Sequence, residues 1–189
     1  MTDKLFNYKK AEKLVHPDRQ KWLPVDHVLE LLQLNPENTV ADLGCGNGYL
    51  TLPIANQVHT DVHAVDVQQP MLDLLKARAA EQGVSNINYI LSTIEELPLD
   101  KQSIDVAIAS LVLHEVPHLE KMMQELKGYL RSDGKWLILD WEAVESEAGP
   151  PIDHRISSQE MKAMLEKAGY RTEVGHVSDA VYYMMAKLK

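Results

Sequence analysis

The residues of this chain that are best suited to chemistry form a loop with glycine at every second position. Gly44, Gly46 and Gly48 follow a short apolar strand and precede a helix-forming segment. Glycine tolerates positive φ and lets a ligand lie against bare backbone, so this arrangement predicts a nucleotide-type binding site. A site for a dinucleotide pyrophosphate needs G-x-G-x-x-G, which would place the third glycine where the chain has Tyr49. The loop is therefore not built for a diphosphate.

An acidic residue ends the next predicted strand, Val62 to Val67. Asp66 follows the glycine loop by about 20 residues, the separation at which dinucleotide sites keep the acid that binds ribose hydroxyls. Taken alone, Asp66 could equally be a solvated carboxylate at a strand end. Together, the loop and this residue predict a ligand that contains a ribose.

A second candidate is the segment His114-Glu115-Val116-Pro117-His118, which matches the H-E-x-x-H pattern of zinc sites. That pattern needs continuous helix between the histidines. Pro117 disfavours helix at the preceding residue and lacks an N–H, so we expect no metal here. We interpret His114 instead as a catalytic base at the carboxyl ends of the strands, because histidine ordinarily titrates near neutral pH. A histidine that only holds the loop by hydrogen bonds is the alternative.

A family resemblance extends beyond the glycine loop. The run Asp42-Leu43-Gly44-Cys45-Gly46-Asn47-Gly48 resembles the first motif of the class I methyltransferases that use S-adenosylmethionine. The turn Ser92 to Pro98, the strand start Ser103 to Val106 and the stretch Leu126 to Gly134 resemble further parts of that family. Its small-molecule branch with the quinone C-methyltransferases is closest, partly because of Leu113 to Val116.

This resemblance implies S-adenosyl-L-methionine as the cofactor. In the family, the loop glycines pack against the methionine and ribose, and an acid after the second strand holds the ribose hydroxyls. Many relatives have an acidic residue at Thr93 for the adenine amino group, so the Thr93 hydroxyl or water would replace it, while the Ile94 N–H serves a ring nitrogen. The implied cofactor-binding residues are Asp42, Gly44, Cys45, Gly46, Asn47, Gly48, Asp66, Val67, Thr93, Ile94 and Ser110.

The same resemblance narrows the acceptor. Relatives that methylate nucleobase amines usually carry N/D-P-P-Y/F where this chain has Ala109 to Val112. Relatives that methylate arsenic need several cysteines, and relatives that transfer aminopropyl groups need an acid where Ser110 stands. A methyltransferase for a small-molecule O, N or C acceptor remains. The alternatives are a cofactor-binding regulator or inactive relative, and a nicotinamide-dependent oxidoreductase.

The length and composition of the chain limit which partners it is expected to bind. The chain has 189 residues, which suit a single domain. Its 28 acidic and 19 basic residues give a net charge of -9 without a basic stripe, which argues against a nucleic-acid partner. One cysteine excludes an internal disulfide, and there is no apolar stretch of secretory or membrane-spanning length. We expect a cytoplasmic monomer or homodimer that binds a small-molecule substrate and does not insert into membranes.

The apolar pattern predicts the elements that position these residues. An amphipathic helix between Leu23 and Leu34 belongs to a helical N-terminal cap over residues 1–37, ahead of a core over residues 38–189. Strands and helices then alternate, which is typical of a parallel sheet covered on both faces. Strands are predicted over 38–43, 62–67, 88–91, 104–109, 135–141, 170–177 and 181–187. Helices are predicted over 49–57, 70–81 and 119–130, and from the capping box Ser157 to Glu160.

The predicted fold class is α/β. The order of elements resembles the Rossmann-like, doubly wound methyltransferase sheet, with seven mostly parallel strands and the last strand inserted antiparallel beside the fifth. The loop Glu147 to Arg155 would leave the fifth strand on the cofactor side. We expect this loop and the cap to form a lid over the acceptor pocket. Arg155 would pair either with an anionic substrate or with neighbouring protein groups. The predicted substrate contacts are Tyr8, Trp22, His154 and Arg155.

Overall fold

A single seven-stranded sheet organises the computed structural model, which describes residues 5–189. The strands are β1 (Val40–Leu43), β2 (Val62–Asp66), β3 (Ile87–Leu91), β4 (Ile104–Ser110), β5 (Leu130–Trp141), β6 (Tyr170–Ser178) and β7 (Val181–Leu188). Their order is β3-β2-β1-β4-β5-β7-β6. Pairing is parallel from β3 across to β5, and β7 pairs antiparallel with both β5 and β6. The predicted fold class, including the antiparallel last strand beside the fifth, is confirmed.

Helices cover both faces of the sheet. They are α1 (Val25–Leu32), α2 (Thr51–Ala55), α3 (Gln69–Gln82), α4 (Leu119–Tyr129) and α5 (Ser158–Lys167). One hydrophobic cluster packs α4 and α5 against the sheet, and a second packs α1, α2 and α3 against the other face. The central strand β1 is short and mostly apolar because both of its faces are buried, and all four of its residues are buried.

Local sequence signals predict where most helices and strands begin and end. The Ser157 hydroxyl accepts a hydrogen bond from the Glu160 N–H and the Glu160 side chain accepts one from the Ser157 N–H, so the predicted capping box is present. The largest difference concerns β5, which begins at Leu130, not near residue 135. Ile104 pairs with Leu130 but Val106 pairs with Lys135, so the intervening residues of β5 bulge out of the ladder.

The N-terminal cap is less regular than the sequence predicts. Two 3₁₀ helices, Tyr8–Val15 and Pro17–Lys21, precede α1. Pro17 separates them, because it lacks an N–H and cannot continue the preceding turn. Ala11 and Leu23 of the cap are buried against the core. Within residues 5–189, no helix combines the length and the apolar character needed to cross a membrane.

Candidate cofactor and acceptor site

Sheet register brings three predicted site segments together. Leu43, the last residue of β1, pairs with Val65 on one side and Ala109 on the other. Gly44, Asp66 and Ser110 therefore lie side by side at the carboxyl ends of adjacent strands. The N–H groups of Gly44 and Cys45 donate to the Val65 carbonyl oxygen at 2.8 and 3.0 Å, which ties the glycine loop to β2. Ligands of open α/β sheets bind at this edge.

Asp66 links the glycine loop to the start of α3. It is buried, and its Oδ2 accepts a hydrogen bond from the Gly46 N–H at 2.9 Å while its Oδ1 accepts one from the Gln68 N–H at 2.8 Å. Burial raises the pKa of Asp66, and the N–H groups of Gln68, Gly46 and Val67 oppose that shift. A carboxylate oxygen can accept two hydrogen bonds. Each Asp66 oxygen thus keeps capacity for a further donor, such as a ribose hydroxyl.

The three loop glycines meet different neighbours. All have positive φ, at 77°, 54° and 84°. A Cβ on Gly44 would lie 2.6 Å from Val112 Cγ2, and one on Gly48 would lie 2.1 Å from Leu75 Cδ1. These two glycines are required by the protein's own packing. Gly46 is different, because its Cβ would meet only Leu14 Cδ1 of the cap, at 3.2 Å. Leu14 therefore occupies the space that a ligand lying against Gly46 would need.

Beside the carboxyl ends of β1 and β4, two buried polar atoms have no hydrogen-bond partner among residues 5–189. One is Oδ1 of Asn47, whose Nδ2 donates to the Ala11 carbonyl at 2.8 Å; the other is Oγ of Ser110. Buried polar groups are normally paired, so such exceptions call for an explanation. A ligand that carries both amino and hydroxyl groups would satisfy them. The unpartnered atoms and the glycine-lined loop fit the adenosyl cofactor that the family resemblance implies.

Asp42 and Cys45 support the loop from within the protein. Asp42 is 2% exposed and its Oδ2 accepts a hydrogen bond from Thr51 Oγ1 at 2.6 Å, joining β1 to α2. Burial raises the pKa of Asp42 to about 6. Burial likewise raises the pKa of the Cys45 thiol well above its ordinary value, so this cysteine is a neutral packing residue at neutral pH.

The predicted adenine turn lies next to Asp66. The Ser92 N–H donates to the Asp66 carbonyl oxygen at 3.1 Å, which fixes the start of this turn. Ile94 is 7% exposed, whereas Thr93 is exposed and Val67 is 45% exposed. The structure thus groups these residues with Asp66, and their contacts with adenine, like that of Asp66 with ribose, stay a prediction.

A buried histidine–carboxylate pair stands at the same edge. His114, in a 3₁₀ turn over Leu113–Glu115, has its Nδ1 2.7 Å from Asp140 Oδ1, and its backbone N–H donates to Asp140 Oδ2 at 3.1 Å. The ring is almost fully buried and Asp140 fully so. With the proton on Nδ1, which this carboxylate would accept, the lone pair is on Nε2, which lies 3.8 Å from Glu115 Oε1. Asp140 is not among the site residues predicted from the sequence. The one feature of the sequence that could have indicated it is an acidic residue near the carboxyl end of β5.

The H-E-x-x-H segment is not one helix. Val116 is extended with ψ 119°, and α4 begins only at Leu119. His114 and His118 therefore lie on separate elements, as Pro117 predicts. Among residues 5–189, no group of three or more His, Cys, Asp or Glu side chains is arranged to hold a metal ion.

The cap lies across this edge of the sheet. The Phe6 N–H donates to Glu115 Oε2 at 3.1 Å, and Gln68 Nε2 donates to the Phe6 carbonyl at 3.0 Å. Burial raises the pKa of Glu115, and the Phe6 N–H opposes that shift. Cap backbone thus contacts the neighbours of both Asp66 and His114, and a ligand that reaches these two residues lies beneath the cap.

The cap and the loop after β5 meet on one aromatic side chain. Trp22 of the cap and Trp141 at the end of β5 have ring centroids 6.4 Å apart, and Arg155 Cζ lies 5.4 Å from the Trp141 ring. A Cβ on Gly149 would lie only 2.7 Å from Trp141, so this loop packs flat against the indole. His154 is half-buried in the same loop, while Tyr8 of the cap is 40% exposed.

Arg155 makes its hydrogen bonds within its own loop. Its guanidinium donates to the carbonyl oxygens of Glu142, Val144, Ala148 and Pro150 and to the Ser146 hydroxyl, at 2.8 to 3.2 Å. These contacts match the alternative in which the side chain pairs with neighbouring protein groups. An anionic substrate would have to compete with five acceptors, so the contacts favour a role in shaping the loop.

Known proteins share part of this sequence and its fold. Residues 40–134 match the family described as methyltransferase domain. The uncharacterized methyltransferase YcgJ of Bacillus subtilis is 27% identical over 130 residues, covering 69% of this chain and 50% of that protein. The ubiquinone biosynthesis O-methyltransferase of Rickettsia felis is 35% identical over 99 residues, covering 52% of this chain and 39% of that protein. The chain thus spans about half or less of the length of these curated relatives.

A solved structure matches nearly the whole chain. It is a SAM-dependent methyltransferase from Aquifex aeolicus, with a TM-score of 0.91 and 28% sequence identity, and the match covers 96% of this chain and 98% of that one. The match includes the cap as well as the sheet, because residues 40–134 alone could not account for this coverage.

Proposed function

This chain belongs to the methyltransferase domain family, within the class I enzymes that depend on S-adenosylmethionine, and from that premise we propose that it methylates a small-molecule O, N or C acceptor. One observation carries the proposal. The glycine loop, Asp66 and the unpartnered oxygens of Asn47 and Ser110 converge at the carboxyl ends of three adjacent strands.

The cofactor would be held by groups already described. Asp66 would accept hydrogen bonds from the ribose hydroxyls, Gly46 would let the ligand approach the backbone, and Thr93 and Ile94 would contact the adenine. Asn47 Oδ1 would accept from an amino group, and Ser110 Oγ would donate to the ligand. S-adenosylmethionine supplies an electrophilic methyl group on a sulfonium. Because the displaced thioether is neutral, positioning provides most of the rate enhancement.

His114 is the proposed base for an acceptor that must lose a proton. Asp140 holds Nδ1–H and orients the ring, so Nε2 takes the proton. Asp140 also stabilises the imidazolium that results, since a carboxylate 2.7 Å away favours the charged ring. Two relatives are an O-methyltransferase of ubiquinone biosynthesis and a 2-phytyl-1,4-naphtoquinone methyltransferase, so hydroxylated quinone-type aromatics are the first acceptors to test.

The cap and the loop after β5 act as the lid. Leu14 covers Gly46 and Trp22 packs near Trp141, so the cap moves outward to admit ligands and closes to exclude water. Cap (residues 1–37) and core (residues 38–189) then work as one domain. The absence of a nucleic-acid partner, a monomeric or homodimeric state and a cytoplasmic location stay predictions.

Two measurements test this function. Calorimetry should detect binding of S-adenosylmethionine and no binding of NADH; the reverse would favour the oxidoreductase alternative. Incubation with S-adenosylmethionine and a panel of catechols, hydroxyquinones and amines should then release S-adenosylhomocysteine. Binding without turnover across the panel would favour the regulator or inactive relative. Heat-treated protein is the control for spontaneous methyl transfer.

A further inference from the structure

The cap carries a partly buried cation that has no acidic partner among residues 5–189. Arg19 lies in the second 3₁₀ helix, and its Cζ is 4.8 Å from the centre of the Tyr49 ring. Its Nε is buried and unpartnered, and no side chain or backbone oxygen of residues 5–189 accepts a hydrogen bond from the guanidinium. A guanidinium has five N–H donors in a fixed planar fork. Arg19 therefore presents hydrogen-bonding capacity that the described protein does not use.

Other charged side chains nearby are already engaged. Asp18, next to Arg19, pairs with Lys21 at 2.8 Å and with His16 at 3.2 Å, on the exposed side of the cap. Arg78 donates to the Asn47 carbonyl in the glycine loop. Burial lowers the pKa of Arg19 to about 10, which leaves it charged at neutral pH. An unpaired buried charge is unfavourable, and a ring face compensates it only in part.

The position of Arg19 relates it to the site. Tyr49 follows Gly48 directly, and its hydroxyl donates to the Leu23 carbonyl at 2.8 Å, which holds the ring between the glycine loop and the cap. Leu14 of the same cap lies over Gly46. Arg19 is thus at the boundary that opens when the cap moves, near the Gly48 end of the loop.

We propose that Arg19, oriented by Tyr49, is an anion-binding subsite that takes the carboxylate of a ligand lying between the glycine loop and the cap. A planar guanidinium can form two parallel hydrogen bonds with a carboxylate, which suits this chemistry. The inference rests on the proposed function. The carboxylate belongs either to the amino-acid end of the cofactor or to the acceptor, and its binding neutralises the charge of Arg19 as the cap closes.

The first arm of the test compares ligands with and without the carboxylate. Calorimetry on the full chain uses S-adenosylhomocysteine and methylthioadenosine, which lacks the amino-acid end. If the cofactor supplies the carboxylate, Arg19→Met binds S-adenosylhomocysteine at least tenfold more weakly and methylthioadenosine as the wild type does. Arg19→Lys retains part of the affinity, because it keeps the charge and loses the fork. Lys21→Met is the matched control, since Lys21 is exposed in the same 3₁₀ helix.

The second arm probes the acceptor as the source. The probes are 4-hydroxybenzoate, an aromatic carboxylate that can stack near Tyr49, and its uncharged methyl ester. If the acceptor supplies the carboxylate, Arg19→Met loses affinity for the acid only and keeps the wild-type affinity for S-adenosylhomocysteine. Thermal melting first checks that both Arg19 variants are folded. The proposal is overturned if both then bind S-adenosylhomocysteine as the wild type does and lose no affinity for 4-hydroxybenzoate. Wild-type protein that binds neither adenosyl ligand would contradict the proposed function, and the 4-hydroxybenzoate arm would still decide the subsite.

Discussion

The two edges of the sheet use polar side chains in different ways. At the edge where the strands begin, Asn86 Nδ2 lies within 3.0 to 3.1 Å of the carbonyl oxygens of Ala55, Val58 and Thr60. Asp105 accepts the Thr39 N–H at 2.7 Å and pairs with Arg131 at 2.8 Å. Among residues 5–189, the loops that lead into β1 to β4 contain no buried side-chain nitrogen or oxygen that lacks a partner.

The carboxyl edge leaves polar groups unpaired. Oδ1 of Asn47 and Oγ of Ser110 have no partner among residues 5–189, and neither has Nε of Arg19 in the cap above them. Pairing every buried polar group favours folding. The edge where strands begin is thus arranged for stability, and the unpaired groups at the carboxyl edge support the proposal that ligands bind there. Substitutions at the two edges should therefore change different measured quantities.

The largest expected effect is on catalysis, at the carboxyl edge. His114→Gln removes the proposed base, so kcat for a hydroxyl acceptor should fall by about 10²–10⁴, roughly 3 to 5 kcal/mol in the activation barrier. Cofactor affinity from calorimetry should not change. The control is His59→Gln, whose side chain is 77% exposed beside Glu37 at the other edge. Full activity of the His114 variant would show that this histidine only holds the loop.

A pH-dependent effect on stability is expected at Asp42. Aspartate titrates near 3.8 in the unfolded chain and at about 6 in the fold, because burial favours the neutral acid. As pH rises from 4 to 6, the unfolded chain releases this proton first, so the wild type loses unfolding free energy. The loss is about 3 kcal/mol for a shift of roughly two pKa units.

Asp42→Asn lacks this titration. Urea denaturation from pH 4 to pH 7 should therefore show the variant gaining about 3 kcal/mol relative to the wild type. Parallel stability curves for the two proteins would mean that Asp42 ionises at an ordinary pH in spite of its burial.

The binding free energy of an adenosyl ligand should weaken by about 2 kcal/mol when the Asp66 side chain is removed. Asp66→Ala deletes charge-assisted hydrogen bonds to the ligand and the anchor of the Gly46 N–H, so S-adenosylhomocysteine should bind about 30-fold more weakly. Calorimetry measures the affinity, with Asp105→Ala as the control at the opposite edge. Equal affinities for the wild type and Asp66→Ala would remove Asp66 from the site.

The smallest expected effect is on stability at the edge where strands begin. Asn86→Ala removes an amide group whose two N–H donors are shared among three carbonyl oxygens, so the unfolding free energy should fall by roughly 1–2 kcal/mol while cofactor affinity stays the same. Asn88→Ala, at an exposed position of β3, should change stability by less than about 0.5 kcal/mol. A loss of cofactor affinity in Asn86→Ala would break the distinction between the edges.

Much of the fold follows from local sequence. Apolar runs and helical spacing predict six of the strands to within about two residues, and the Ser157 to Glu160 capping box predicts the start of α5. The positions of the glycine loop and Asp66 can also be predicted from the sequence. Both lie at the ends of predicted strands, and parallel strands bring their carboxyl ends to one edge. The sheet therefore fixes the positions of residues at the ends of such strands.

What the sequence by itself determined is thus the α/β sheet, the glycine loop and the place of Asp66 at a strand end, since each depends on local pattern and on the rule for parallel strands. Only the tertiary structure decided the pairing of His114 with Asp140 and of Arg19 with Tyr49. Those partners lie on different elements, and their contact depends on the β4–β5 register and on how the irregular cap packs over the edge. Neither the register nor the packing has a local signature, because both are set by the burial of many residues at once.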